Sequence, residues 1–298
     1  MTQEFLNNKL ISEYGNELAL DITGNYSVIR KTTIRINTIK SNINEIKDIL
    51  KRNNIAYSEV EWSNFSLILE ENQEEILKEL EIYKEGKIYL QSLSSQLPPL
   101  FVNPKENETI LDMTAAPGGK TTELAALANN NVLITATEKN KKRFERLKYN
   151  IEHLGAKKIS VLNIDARNLD EYFMFDKILL DAPCSGSGTL SPSTINNFSK
   201  ELLTRSIYFQ KTLIREAIKH LKPNGELIYS TCSILKEENE YIIKELLNEN
   251  KNLELVQLDL SNYNRIPTLP VEIKGTLCVR PTKLYEGFFV AKIRKISD

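Results

Sequence analysis

The sequence predicts an α/β protein: a doubly wound, mostly parallel sheet preceded by a small α+β module. Three observations carry that prediction. From residue 108 onward, short continuous apolar runs alternate with longer stretches of helical spacing, the pattern of parallel strands buried on both faces. Before residue 90 the first strand-like segment instead alternates β-branched and polar residues, as half-buried strands do. The length, 298 residues, exceeds one typical domain and is comfortable for two. The expected division is 1–90 and 91–298.

Taken in order, residues 1–27 space Phe5, Leu6, Leu10, Ile11, Tyr14 and Leu18 as polar helices do. Residues 32–40 (Thr-Thr-Ile-Arg-Ile-Asn-Thr-Ile-Lys) read as a strand, Ile43–Arg52 as a helix, 65–69 as a second strand and 74–80 as a second helix. Strand, helix, strand and helix in quick succession suggest a ferredoxin-like module. Residues 91–104 gather Ser92, Ser94, Ser95, Pro98, Pro99 and Pro104, and read as a linker or entrance to the second domain. Five buried strands follow, at 109–112, 132–138, 159–163, 175–181 and 226–230. Helices are expected over 121–128, 140–154 and 201–221, the second of them basic and amphipathic. Residues 287–293 supply a final strand, and no internal repeat is present.

Composition excludes several classes. With 41% hydrophobic residues the chain is not disordered, and no apolar run approaches the roughly 18 residues that span a bilayer. The start lacks a basic region followed by an apolar block, and carries no arginine before Arg30, so neither a secretory nor a mitochondrial leader is expected. Cys184, Cys232 and Cys278 are odd in number, far apart and without a CxxC spacing, which argues against a disulfide framework and a zinc site. A soluble, reduced, cytoplasmic protein without a metal is expected. The net charge of −1 does not advertise a polyanionic partner. The first hundred residues lean acidic (11 Lys/Arg against 15 Asp/Glu) and the remainder mildly basic (28 against 25).

In doubly wound sheets, ligands lie beyond the carboxyl ends of the strands, near the point where strand order reverses. Residues 112–121 (Asp-Met-Thr-Ala-Ala-Pro-Gly-Gly-Lys-Thr) follow the first buried strand. Glu138 follows the second, Asp165 the third, 181–186 (Asp-Ala-Pro-Cys-Ser-Gly) the fourth and 230–233 (Ser-Thr-Cys-Ser) the fifth. The dinucleotide pattern GxGxxG is absent. The phosphate loop GxxxxGK[ST] fits at Gly119-Lys120-Thr121, with Asp181 as its metal-binding acid, but Thr114 stands where its first glycine is required. S-adenosylmethionine fits better. Pro117, Gly118 and Gly119 permit close backbone approach, Glu138 can accept from a ribose diol, and Asp165 can receive an adenine amino group. Singly, each glycine is as readily a turn and each acid a cap; at three successive strand ends they favour a ligand.

The fourth strand end speaks to substrate. Amine methylation usually goes with Asn/Asp-Pro-Pro-aromatic here, whereas this chain has Asp181-Ala-Pro-Cys184. A thiol answers a different problem. Carbon 5 of a pyrimidine is too electron-poor to attack a methyl sulfonium, and a thiolate adding at carbon 6 makes it nucleophilic. Both Cys184 and Cys232 are candidates for that thiolate, while Cys278 reads as a buried inert residue.

The motifs at 112–121, 181–188 and 229–234, with Glu237-Glu-Asn-Glu240, resemble the Nol/Nop/Sun family of RNA cytosine-5 methyltransferases. Residues 33–38, 86–92 and 286–291 are similar to that family too, so the likeness runs collinearly over about residues 30–298. The resemblance implies a Rossmann-like class I methyltransferase domain and a small RNA-binding module. It implies that Cys232 is the nucleophile, that Cys184 helps release product, that Asp181 bonds the flipped cytosine and that Lys120 lies close by. It also implies a cofactor pocket made by Ala115, Ala116, Pro117, Gly118, Gly119, Lys120, Thr121, Glu138, Asp165 and Asp181. The chain departs from the family pattern at Thr114 (usually Cys), at 192–198, where a Trp is common, and at Arg280-Pro-Thr282, where Arg-Pro-His is common. No added N-terminal or C-terminal domain is evident, so a minimal, monomeric member acting on rRNA or tRNA is expected.

A stacked cytosine cannot present carbons 5 and 6 to both thiol and cofactor, so the base is expected to flip out of its helix. Cations for the RNA backbone are Arg30, Lys31, Arg35, Lys139, Lys141, Lys142, Arg143 and Arg146, with Arg35 and Asn37 on the alternating strand the preferred contacts.

Overall fold

A computed structural model describes residues 2–70 and 73–296 of the chain. The helical segment α1 (Thr2–Asn25) opens it, two helices that meet at a kink where Gly15 takes a non-helical φ of 79°. Four strands then form a small antiparallel sheet: β1 (Thr33–Ile36), β2 (Tyr57–Val60), β3 (Ser63–Leu69) and β4 (Ile88–Leu90). Helix α2 (Ile43–Arg52) joins β1 to β2, and α3 (Glu74–Glu79) and α4 (Glu81–Lys84) join β3 to β4. The strand order β2-β3-β1-β4 interleaves two strand–helix–strand units, which is the ferredoxin-like arrangement. Ile34, Ile36, Ile46, Leu50 and Leu67 fill its core. Helix α1 does not join that core. Its Leu6, Leu10 and Ile22, and Tyr26 just past its end, are buried with residues of the large sheet.

The expected linker at 91–104 is instead a buried helix, α5 (Leu93–Val102), and this corrects the sequence reading. Serines and prolines concealed it, and each has a local explanation. Ser92 caps the N-terminus by accepting from the Ser95 N–H. Pro99 has no N–H for the Ser95 carbonyl, but the Gln91 amide donates to that carbonyl at 3.2 Å. Leu93, Leu97, Phe101 and Val102 are buried against the large sheet.

The large sheet uses β5 (Thr109–Asp112), β6 (Leu133–Thr137), β7 (Ile159–Leu162), β8 (Phe175–Asp181) and β9 (Leu221–Thr231), all parallel. Helices α6 (Gly119–Leu127), α7 (Lys141–His153), α8 (Lys200–Lys219) and α9 (Glu240–Glu249) flank it. An antiparallel edge of β10 (Leu253–Val256), β11 (Leu277–Val279) and β12 (Phe288–Lys295) completes it. The short β2, β4, β10 and β11, and helices α4 and α9, go beyond the sequence reading. Strand order is β10-β12-β9-β8-β5-β6-β7. From β5 the chain winds first to β6 and β7, then returns to β8 and β9, so the order reverses between β5 and β8. The ligand crevice belongs there. Among the described residues no helix is long and apolar enough to cross a membrane.

Candidate active site

The loop between β5 and α6 turns sharply on itself. Gly118 adopts φ +107°, and a Cβ there would meet Leu147 of α7 at 3.0 Å. Thr121 donates to the Asp112 carboxylate at 2.7 Å, and burial pushes that carboxyl up to about 6. Thr114 donates to the Asp181 carbonyl at 2.7 Å, tying this loop to the end of β8.

Lys120, in the first turn of α6, reaches Asp181 at 2.8 Å and donates to Ser95 at 2.9 Å. Burial works against its charge, but Asp181 outweighs it and raises its pKa above the ordinary lysine value. The other Asp181 oxygen accepts from Ser230 at 2.8 Å. Cys184 and Cys232, at the ends of β8 and β9, bring their sulfurs to 2.9 Å. The hydrogen bond with Cys232, helped by burial, raises the Cys184 thiol well above its usual range. In this contact either thiol can donate to the other. Cys278 lies elsewhere, buried, with its thiol pushed up to about 12 by burial.

Two residues of the charged run at 237–240 hold the two cysteine loops. Glu238 is fully buried, accepting from the Ser185 N–H at 2.7 Å, the Ser185 hydroxyl at 2.6 Å and Gln210 at 3.2 Å. Asn239 accepts from Thr231 at 2.5 Å and donates to the Ser233 carbonyl at 2.9 Å, bracketing Cys232. Two tyrosines add clasps, Tyr26, just past α1, to the Ser187 carbonyl at 2.7 Å and Tyr14 of α1 to the Ile234 carbonyl. In the sequence the run stands out only for its likeness to the family, with no role attached to it. Four polar residues in a row read as surface, and nothing in their pattern signals burial.

Two cavities meet at this point. The first, about 440 Å³, is lined by Glu138, Asp165, Pro183, Cys184 and Phe209 among others. The second, about 380 Å³, is lined by Tyr89, Gln91, Ser95, Lys120 and Phe288 among others. Thr114, Ala116, Asp181 and Cys232 belong to both. Of the expected loop residues, Ala115, Pro117, Gly119 and Lys120 line the second cavity, whereas Gly118 and Thr121 shape the turn. Glu138 accepts from the Asn140 N–H at 2.7 Å and lies 3.3 Å from Arg143, which also donates to the Ala116 carbonyl. Asp165 is gripped by Arg167 through two side-chain bonds of 2.7 and 2.9 Å, which hold its carboxyl down to about 2.

The expected RNA contacts Arg35 and Asn37 need correction. Each is only 2% exposed. Arg35 donates to the Gly119 carbonyl, Thr122 and Glu123, and Asn37 to the carbonyls of Gly86 and Leu154. Their strand faces α6 and the end of α7 rather than solvent. Of the other cations, Lys31 pairs with Glu70 at 2.8 Å, while Lys141, Lys142 and Arg146 are exposed along α7.

The doubly wound sheet, whose strand-end loops build paired cavities around two cysteines, has the Rossmann-like methyltransferase fold. The family model described as 16S rRNA methyltransferase RsmB/F matches residues 99–294. The chain belongs to that family, the Nol/Nop/Sun group. It is 35% identical to the 25S rRNA (cytosine-C(5))-methyltransferase nop2 of Schizosaccharomyces pombe, covering 99% of this chain and 51% of that protein. It is 34% identical to the ribosomal RNA small subunit methyltransferase F of Shewanella woodyi, covering 100% and 64%. The tRNA (cytosine(72)-C(5))-methyltransferase of Pyrococcus horikoshii is 36% identical, over 74% of this chain and 56% of that one. The chain thus spans about half to two-thirds of the length of these curated relatives. Among solved structures, NSun6 from Pyrococcus horikoshii with SFG superimposes with a TM-score of 0.88 at 25% identity, covering 98% of each chain.

Proposed function

We propose that the protein is an RNA cytosine-5 methyltransferase that takes its methyl group from S-adenosylmethionine and acts on a cytosine of ribosomal or transfer RNA. The observation that carries this reading is the seam between the cavities: Cys232 and Asp181 line both, so one thiol faces a donor and an acceptor together. Relatives named as cytosine-C5 methyltransferases of rRNA and of tRNA support the substrate class.

The first cavity suits the methyl donor. Glu138 and Asp165 stand on its wall, and a carboxylate with about four lone-pair sites can accept further bonds while already held by neighbours. Bound there, S-adenosylmethionine supplies an electrophilic methyl group on a sulfonium. The second cavity suits an extruded pyrimidine, with Tyr89 and Phe288 as aromatic walls and Lys120 and Asp181 as polar partners. The Cys232 thiolate adds to carbon 6, and the carbon 5–carbon 6 π pair becomes available at carbon 5. Once carbon 5 carries the methyl group, a base takes its proton, that electron pair re-forms the double bond, and the sulfur–carbon 6 bond breaks. The protonated Cys184 at 2.9 Å can return a proton to the departing sulfur. The Lys120 ammonium beside Asp181 favours negative charge at the seam.

The exposed cations of α7 fit the RNA backbone better than the buried Arg35 does. We read the enzyme as a cytoplasmic monomer whose three free cysteines stay reduced. The test is transfer of a radiolabelled methyl group to total RNA, with 5-methylcytosine identified in the digested product. Titration calorimetry with S-adenosylhomocysteine and with ATP accompanies it. Transfer by the wild type, its loss in Cys232→Ala, and uptake of S-adenosylhomocysteine alone are expected. Uptake of ATP alone, or full transfer by Cys232→Ala, would refute the reading.

A further inference from the structure

Arg35 is the largest of the most deeply buried side chains, and its charge points from the small module into the first turn of α6. It donates to the Gly119 carbonyl at 2.7 Å and the Thr122 hydroxyl at 2.9 Å, and lies 3.2 Å from Glu123. Glu123 also accepts from Gln91 at 2.8 Å. The guanidinium lies 5.4 Å from the centre of the Tyr89 ring, and that ring covers Gly119 so closely that a Cβ there would meet it at 2.8 Å. Three residues of the small module and its exit thus grip the turn immediately around Lys120. Burying an arginine is costly before pairing, and apolar contacts would join two domains more cheaply. The donors, however, fix a carbonyl and a hydroxyl in direction as well as distance.

We infer that Arg35 is a positioning residue for the reaction: by holding the first turn of α6 it sets Lys120 against Asp181 and Cys232, so that the acceptor cavity is complete only while the small module is docked. The inference rests on the catalytic reading of Lys120, Asp181 and Cys232 given above. Arg35 itself lines neither cavity.

The test separates positioning from bulk stability. Arg35→Met alone takes the cation away from Glu123, whose carboxyl burial already pushes up to about 7, and lowers stability and turnover together. The double variant Arg35→Met/Glu123→Leu removes both charges and is expected to melt close to the wild type, while the Gly119 carbonyl and Thr122 hydroxyl still lack their donor. In it, kcat for methyl transfer is expected to fall at least about tenfold, and affinity for S-adenosylhomocysteine, held by the other cavity, to change less than about twofold. Arg35→Lys, which cannot span all three acceptors, should fall between. A double variant with restored melting and wild-type kcat overturns the inference, as does a fall in kcat explained wholly by lost S-adenosylhomocysteine binding. Lys120→Met is run alongside. If it turns over like the wild type, the catalytic reading fails at its source and the inference falls with it. If it is impaired and the double variant is not, the inference fails alone.

Discussion

Glu238 offers a measurable link between a buried charge and the cysteine loops. In Glu238→Ala the Ser185 N–H and the Ser185 hydroxyl each lose their carboxylate acceptor, at 2.7 and 2.6 Å in the native site. Gln210 keeps one bond, to the Pro183 carbonyl at 2.9 Å. Two buried donors left without partners cost about 1–3 kcal/mol each, so a loss of about 2–6 kcal/mol is expected, to which the space left by the side chain adds. Glu238→Gln keeps the shape and one acceptor, and should lose about 1–2 kcal/mol. Urea unfolding followed by fluorescence reads both. The functional consequence is separate. Ser185 adjoins Cys184, so a loosened loop should slow release and let a protein–RNA adduct accumulate on a denaturing gel in the glutamine variant. If the alanine variant unfolds within about 1 kcal/mol of the wild type, Glu238 does not carry the loop and the reasoning is wrong.

Cys184→Ala is expected to leave a stable protein–RNA adduct, visible as a shifted band on a denaturing gel; an adduct in Cys232→Ala instead would reverse the two thiols' roles. Gly119→Ala forces a methyl group against the Tyr89 ring at 2.8 Å and should cost about 1–3 kcal/mol, relieved by adding Tyr89→Leu. Thermal melts of the single and double variants decide this, and an unrelieved loss would place the strain elsewhere. Asp112 gives a pH signature. Burial raises its folded pKa to about 6, above the unfolded value, so the native chain retains a proton that the unfolded chain has released. Its contribution is therefore full below about pH 4 and is lost as pH rises through about 6. Unfolding measured from pH 4 to 7.5 should show this fall, smaller in Asp112→Asn by on the order of 2–3 kcal/mol. Equal slopes would exclude Asp112 as the source.

The large sheet was legible because parallel strands buried on both faces carry continuous apolar runs, such as Ile178-Leu179-Leu180. Residues 175–181 read as a strand and are β8 to the residue. Chemistry at strand ends was legible for the same reason: once the strands are placed, Asp181, Cys184 and Cys232 must cluster. What the sequence concealed follows from tertiary contacts. Ser92 and Pro99 look like linker residues until Gln91 supplies the bond that proline cannot make. Arg35 and Asn37 alternate with isoleucines as an exposed face would, yet that face is covered by α6 and α7. Alternation reports which residues share a face and not what lies against it. Glu238 and Asn239 are polar residues buried by their partners, a circumstance that hydropathy cannot register.

The central claim concerns one bond, between the sulfur of Cys232 and carbon 6 of a cytosine. RNA carrying 5-fluorocytosine at the target position tests it most directly, since fluorine cannot depart as the carbon 5 proton does and the adduct cannot resolve. After incubation with S-adenosylmethionine, proteolysis and mass spectrometry locate the modified peptide. A methylated fluorocytosine nucleotide attached to Cys232 is the expected result. The same nucleotide attached to Cys184, or no covalent product while methyl transfer to ordinary RNA proceeds, would contradict the account.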